Sequence, residues 1–177
     1  MFTCTDFTSW LYPVTKGATS VWERWNGYEV AFGKTNENHM NSFNHFALGS
    51  VGQWMYEFQL GITSDEGGYK HFILQPSAGG SYTKLEGSYE SRYGTIRSAW
   101  TADGQGRMLT YRATVPANTT ATLYLPLHGE GQRCGKSTHA RFSGREEHCG
   151  HSCARYELAS GTYTFMLADE GITVTEE

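Results

Sequence analysis

The amino-acid sequence predicts a mainly β protein, with an antiparallel β-sandwich over about residues 63–177 preceded by a helical segment. Three observations predict it. Glycine supplies 21 of 177 residues and Tyr, Thr and Ser are plentiful, a mixture suited to strands and turns. The spacing of apolar residues switches once, near residue 62, from helical to alternating. Beyond the switch, seven short alternating runs follow at the spacing of a sandwich.

The same composition narrows the classes of function. A chain of 177 residues holds about one to one and a half domains. Hydrophobic residues at 38% and aromatic residues at 14% are enough for a core. Charged residues are 18%, against roughly 25% in soluble domains, and the net charge is −4. Neither nucleic acid nor an anionic membrane is therefore expected as a partner. No apolar run approaches the roughly 18 residues of a membrane span. The opening MFTCTDFTSW has no basic region followed by an apolar core, so it does not read as a signal peptide. Location is left open, with the cytoplasm slightly favoured.

Taken in order, the first element is a helix in MNSFNHFALGSVGQWMYEFQLGI, expected over residues 42–60. Asn41 or Ser42 caps its start, Phe43, Phe46, Ala47, Ser50, Val51, Trp54, Met55 and Phe58 recur at helical spacing, and Gly61 stops it. The other face carries His45, Gly49, Gly52 and Tyr56. Two glycines inside a helix cost about 1 kcal/mol each relative to alanine, so close packing is expected over them. The helix should then be buried on both sides, more than one small domain could arrange alone. TSDEGG, from Thr63 to Gly68, reads as a linker. The strands are expected in YKHFILQP, TKLEGSYES, GTIRSAWTADG, RMLTYRATVP, TATLYLPL, ARYELASG and TYTFMLAD. Leu109, Tyr111, Ala113 and Val115, then Ala121, Leu123 and Leu125, form the inward sets.

The stretch GATSVWERWNG sets the functional question. Glu23 lies between Trp22 and Trp25, with Arg24 beside it. Either the indoles are core and Glu23 is solvated, or they form a platform for a sugar ring on which Glu23 acts.

Several segments together resemble a known family. FTSWLYPVTKGATSVWERWNG, MNSFNHFALGSVGQWMYEFQLGI, GYKHFILQP, GSYESRYGTIRSAW and TVPANTTATLYLP occur in the order seen in the C-terminal part of bacterial α-L-rhamnosidases. The resemblance covers nearly the whole chain, and its specific motifs are WER and MNSFNH. It implies that residues 1–62 are the end of a catalytic (α/α) toroid and residues 63–177 the C-terminal sandwich. It also implies inversion at the anomeric carbon, with Glu23 as the general base and His45 in contact with the bound sugar. Inverting glycosidases hold two carboxyl groups about 6.5–9.5 Å apart so that water fits between base and sugar. In the family the general acid lies upstream, and no carboxylate here matches it, Asp6 and Glu29 included. The chain thus carries half of a catalytic pair and is expected to be a fragment or one piece of a larger assembly, inactive alone. Its expected partners are a rhamnosylated glycoside and the rest of the toroid, with no cofactor and no metal. The alternative is a non-catalytic carbohydrate-binding or structural sandwich module.

A second cluster is CGKSTHARFSGREEHCGHSC, with Cys134, His139, His148, Cys149, His151 and Cys153. Such ligands can hold zinc, but C-x3-C is not the tight C-x2-C knuckle. Free thiols in a polar loop are the expectation. Asn118, in NTT, fits a glycosylation sequon but is read as a turn before a strand.

Overall fold

The computed structural model describes residues 3–34 and 40–177, which fall into two compact units, Met1–Trp54 and Met55–Glu177. In the second unit the alternating runs become two sheets. Strands β1 (Ile62–Ser64), β2 (His71–Leu74), β6 (Thr120–Pro126), β8 (Ala140–His148) and β9 (His151–Leu158) form one, in the order β1-β2-β6-β9-β8. Strands β3 (Lys84–Ser91), β4 (Gly94–Ala102), β5 (Met108–Val115), β7 (Arg133–Cys134), β10 (Gly161–Ala168) and β11 (Gly171–Glu176) form the other, ordered β3-β4-β5-β10-β11-β7. Pairing is antiparallel throughout, except that β2 runs parallel to β6 and β11 parallel to β7.

Period-two alternation turns one face of each strand inward, and the two inner faces share one apolar core. Phe72, Leu74, Leu123, Leu125, Tyr156 and Leu158 come from the first sheet. Ile96, Trp100, Tyr111, Phe165 and Leu167 come from the second. Several polar groups drawn into this core are paired, although the buried Tyr156 hydroxyl has no partner among the described residues. Ser98 donates to the Leu60 carbonyl at 2.6 Å and lies 3.2 Å from the Tyr111 hydroxyl, while the Trp100 indole donates to the Gln59 carbonyl at 2.8 Å. Gly61 sits at φ +73°, where an added Cβ would lie 2.2 Å from the Gln75 carbonyl carbon. Only glycine fits there.

Three expectations need correction. Leu109 points to solvent, and Met108 is buried in its place. The register slips between Thr101 and Ala102, which pair with Thr110 and Met108, so Leu109 is the extra residue of a bulge and the phase reverses around it. The His- and Cys-rich segment is not a loop but the β8–β9 hairpin. His148 pairs with His151 across a two-residue turn, in which Cys149 and Gly150 both have positive φ, the geometry of tight hairpins. Its first strand is an edge, where the charges of ARFSGREEH discourage further pairing, and this polarity hid it from a hydrophobic reading. Strands β1, β7 and β11 likewise escaped the seven runs. Asn118, at φ +60°, lies in the turn before β6.

The third correction is the helix. The segment divides into α3 (Phe46–Gly49), α4 (Val51–Trp54) and a π-helical turn (Met55–Gln59) that ends in the bond from the Leu60 amide to the Met55 carbonyl. The Ser50 hydroxyl bonds back to the Ala47 carbonyl at 2.7 Å, a contact that bends helices. No residue of α3 or α4 is buried among the described residues, and Phe46 is 81% exposed. A Cβ at Gly49 would meet only Val21, at 3.8 Å, and one at Gly52 would meet nothing. The close packing expected over these glycines is not supplied by this chain's described residues. The first unit otherwise holds α1 (Leu11–Thr15) and α2 (Gly27–Ala31) around buried Trp22, Val30 and Ser9. No described helix is long and apolar enough to cross a membrane.

Candidate active site

The two motifs singled out in the sequence are clipped together in the first unit. The Glu23 amide donates to the Ser42 carbonyl at 2.9 Å, and the His45 amide donates to the Val21 carbonyl at 2.8 Å. Ser20 adds a side-chain bond to the Phe43 carbonyl. WER and NSFNH, about twenty residues apart in sequence, thus lie side by side on a backbone framework.

Within this framework the two indoles part ways. Trp22 is core, 2% exposed, packed edge-on against Tyr28 at 4.7 Å and Phe43 at 5.4 Å. Gly27 leaves room for it, since a Cβ there would come within 3.2 Å of the Trp22 ring. Trp25 is half-buried and meets Trp10 edge-on at 5.4 Å, and the Trp10 indole donates to the Leu48 carbonyl. Trp10, Trp22, Trp25, Val21 and Leu48 line an apolar cavity of about 280 Å³. Glu23 is partly exposed next to this cluster and is not in the cavity's lining. Trp22 is therefore core and Glu23 keeps contact with solvent, as the first of the two opening alternatives has it.

His45 caps α3 in place of the expected Asn41 or Ser42. It has extended backbone angles, φ −140° and ψ 143°, and its Nδ1 accepts from the Ala47 amide at 3.1 Å. A backbone amide can only donate, so Nδ1 carries the lone pair and the imidazole proton sits on Nε2. The ring stacks on Phe46 at 4.9 Å. His45 is thereby fixed as a hydrogen-bond donor at its outer nitrogen.

Two polar groups nearby were not nominated by the sequence reading. The Glu29 carboxylate takes the Tyr12 hydroxyl at 3.4 Å on one oxygen, and its other oxygen is buried without a partner among the described residues. Asn41 Oδ1 is in the same condition. Burial, together with the Glu29 charge, raises the Tyr12 phenol above its ordinary value. Nothing in a linear motif signals such orphaned acceptors.

The cysteine and histidine cluster disperses. His139 lies 3.2 Å from Glu176, and the Cys134 thiol points to the Gln132 carbonyl. All four cysteines are free, and among the described residues no three His, Cys, Asp or Glu side chains are grouped to hold a metal.

Comparison with known proteins adds the decisive observation. Residues 1–58 match the bacterial α-L-rhamnosidase six-hairpin glycosidase domain, and residues 61–140 match the bacterial α-L-rhamnosidase C-terminal domain. The chain belongs to the bacterial α-L-rhamnosidase family. An α-L-rhamnosidase of Streptomyces avermitilis is 38% identical over 162 residues, which is 91% of this chain and 15% of that protein. One from Formosa agariphila is 38% identical over 120 residues, 68% of this chain and 13% of the relative. The crystal structure of the Streptomyces avermitilis α-L-rhamnosidase complexed with L-rhamnose superposes with a TM-score of 0.75 at 33% identity, covering 94% of this chain and 15% of that one. The native α-L-rhamnosidase of Aspergillus terreus gives 0.69 at 28% identity, with 94% and 16% covered. This rhamnosidase-family chain therefore spans about 15% of the length of the relatives it matches.

Proposed function

We propose that this chain is the C-terminal portion of an inverting α-L-rhamnosidase that removes terminal α-L-rhamnosyl residues from glycosides. Residues 1–62 close the catalytic toroid and residues 63–177 form the sandwich domain that follows it. Glu23 is the general base: partly exposed, its carboxylate takes a proton from the water that attacks the anomeric carbon. The general acid comes from the rest of the toroid, across the gap of about 6.5–9.5 Å that inversion needs. His45 donates its Nε2 proton to a hydroxyl of the bound sugar. Two carboxyl groups suffice for this hydrolysis, so the reaction calls for no cofactor.

The observation that supports this reading is the pair of backbone bonds, Glu23 to Ser42 and His45 to Val21, which hold Glu23 and His45 on adjoining segments. The uncovered apolar residues of the first unit agree with it. Phe46 at 81% exposed and Phe32 at 69% suit a face that the other toroid helices cover.

The test is Glu23→Gln in a full-length enzyme carrying this chain. The amide keeps the size of the carboxylate but cannot accept the water's proton, so kcat should fall by at least about a hundredfold. KM should move far less. Azide, attacking from the vacated water site, should restore turnover and give the glycosyl azide of inverted configuration. Unchanged kcat, or an azide of retained configuration, refutes the assignment. The 177-residue chain alone should not hydrolyse an aryl α-L-rhamnoside, because it lacks both the acid and the positioning of the whole toroid.

A further inference from the structure

The two motifs of the first unit meet on one residue, Gly27. It opens α2 and is buried, and its backbone lies outside the left-handed region, so its conformation does not call for glycine. Alanine is the better helix former. The reason for glycine is packing. A Cβ at this position would lie 3.2 Å from Trp22 Cε3, 3.3 Å from Phe43 Cε1 and 3.4 Å from Asn41 Oδ1. Trp22 belongs to WER, and Asn41 and Phe43 belong to MNSFNH. The other described glycines of the unit are not crowded in this way. Gly17, Gly33 and Gly52 would meet nothing within 4 Å, and Gly49 would meet only Val21, at 3.8 Å.

Each of the three side chains adjoins the clip that holds Glu23. Trp22 immediately precedes it, and the indole is boxed in by Tyr28 at 4.7 Å and Phe43 at 5.4 Å. With 2% exposure it has little room to yield except by moving its own backbone, and Glu23 with it. Phe43 follows Ser42, whose carbonyl receives the Glu23 amide at 2.9 Å, and the Phe43 carbonyl is held in turn by the Ser20 hydroxyl. Asn41 precedes Ser42 and donates its side-chain amide to the Gly27 carbonyl at 3.3 Å. Both ends of the Glu23–Ser42 bond therefore take their distance from the start of α2 at the bare Cα of Gly27.

We propose that Gly27 is a positioning residue for the general base: by carrying no side chain it lets Trp22 and Phe43 close on α2, and so sets where the Glu23 carboxylate stands. The inference rests on the reading of Glu23 as the base. Gly27 touches neither sugar nor water and acts only through its neighbours. Contacts as short as these oblige a neighbour to give by a few tenths of an ångström. A misplacement of about 1 Å can cost about a hundredfold in rate, so a methyl group at Gly27 should cost about five- to tenfold.

The experiment is a pair of double-mutant cycles in a full-length enzyme carrying this chain, assayed on an aryl α-L-rhamnoside. Gly27→Ala should lower kcat about five- to tenfold, with KM moving less. Once the base is gone its placement no longer matters, so adding Gly27→Ala to Glu23→Gln should change the residual kcat by less than about twofold. Trp22→Phe removes the Cε3 that the methyl group would meet, and in that background the penalty of Gly27→Ala should shrink to about threefold or less. Unchanged kcat in Gly27→Ala overturns the proposal, as does a penalty that Trp22→Phe leaves undiminished. A loss that persists in full on top of Glu23→Gln overturns it too, because a general structural defect multiplies with loss of the base. Absence of a cooperative melt in Gly27→Ala would make the glycine a folding residue and likewise overturn it. Failure of the base reading shows differently: Glu23→Gln alone would then leave kcat intact, whatever Gly27→Ala does.

Discussion

His45 offers a test in which two roles separate. As cap, its Nδ1 satisfies the Ala47 amide at 3.1 Å, and as proposed ligand contact its Nε2 proton meets the sugar. His45→Ala removes both. Ala47 is exposed, so water can replace the cap, and the stability cost should sit near the low end for lost caps, about 0.5–1 kcal/mol. For the proposed sugar bond, losing a neutral donor should cost roughly 1–3 kcal/mol, or about 5- to 150-fold in affinity. His45→Asn divides the effects. Asparagine is among the best capping residues, so stability should return to within a few tenths of a kcal/mol, but its short amide does not reach where Nε2 stood. Denaturant unfolding of the chain measures the first quantity. KM for a rhamnoside and inhibition by L-rhamnose, in a full-length enzyme, measure the second. Recovery of both properties by asparagine would refute the donor role. A fall in kcat with KM intact would show that His45 takes part in proton transfer instead.

Other outcomes follow from single contacts. Gly61→Ala should destabilise the second unit by more than about 3 kcal/mol, since positive φ and a backbone only 2.2 Å away both oppose a Cβ; Gly80→Ala, at φ +68° with nothing within 4 Å, should cost only about 1 kcal/mol in the same unfolding assay. A bond from Ser137, then the His139 amide, holds the Glu176 carboxyl down to about 2 from its ordinary 4.5. Its contribution is therefore full above pH 4.5 and is lost as pH falls towards 2, so Glu176→Gln should lower the melting temperature at pH 6 and leave it unchanged near pH 2. Thiol labelling of the native protein should modify exposed Cys149 well before buried Cys153, and equal rates would refute the burial of Cys153 in the hairpin.

What the sequence showed, and what it hid, divides by the range of the interaction responsible. The alternation of Ala121, Leu123 and Leu125, or of Tyr163, Phe165 and Leu167, is local, and each set is buried as alternation demands. Leu109 follows the same local rule and fails, because its phase is decided by the register of β4, a strand about ten residues away. Strand β8 lacks an apolar stripe because an edge strand profits from charge, so its existence rests on pairing with β9. The cap expected at Ser42 is a case of competing local bonds. The Ser42 hydroxyl accepts from the Asn44 amide and is spent in that turn, and the helix begins four residues later at Phe46. Glu23 and His45 were legible as residues through the motifs around them. Their framework was not, since it depends on two amides finding carbonyls about twenty residues distant.

The first unit also defines its complement. Buried polar groups are normally hydrogen-bonded, yet among the described residues Glu29 and Asn41 each keep one oxygen buried and unpaired, and the side chains of Phe32 and Phe46 are exposed. The two oxygens lie too deep for an outside group to reach, whereas the exposed rings call for an apolar cover. On the proposed reading, the other helices of the toroid supply that cover. Glu29, which accepts from the Tyr12 hydroxyl at 3.4 Å, would then help hold the segment bearing Glu23 from within, and its removal should loosen that segment without touching the chemistry. Glu29→Gln in a full-length enzyme should accordingly lower thermal stability while the pH dependence of kcat keeps its shape. A changed acidic limb would instead make Glu29 part of the proton-transfer machinery.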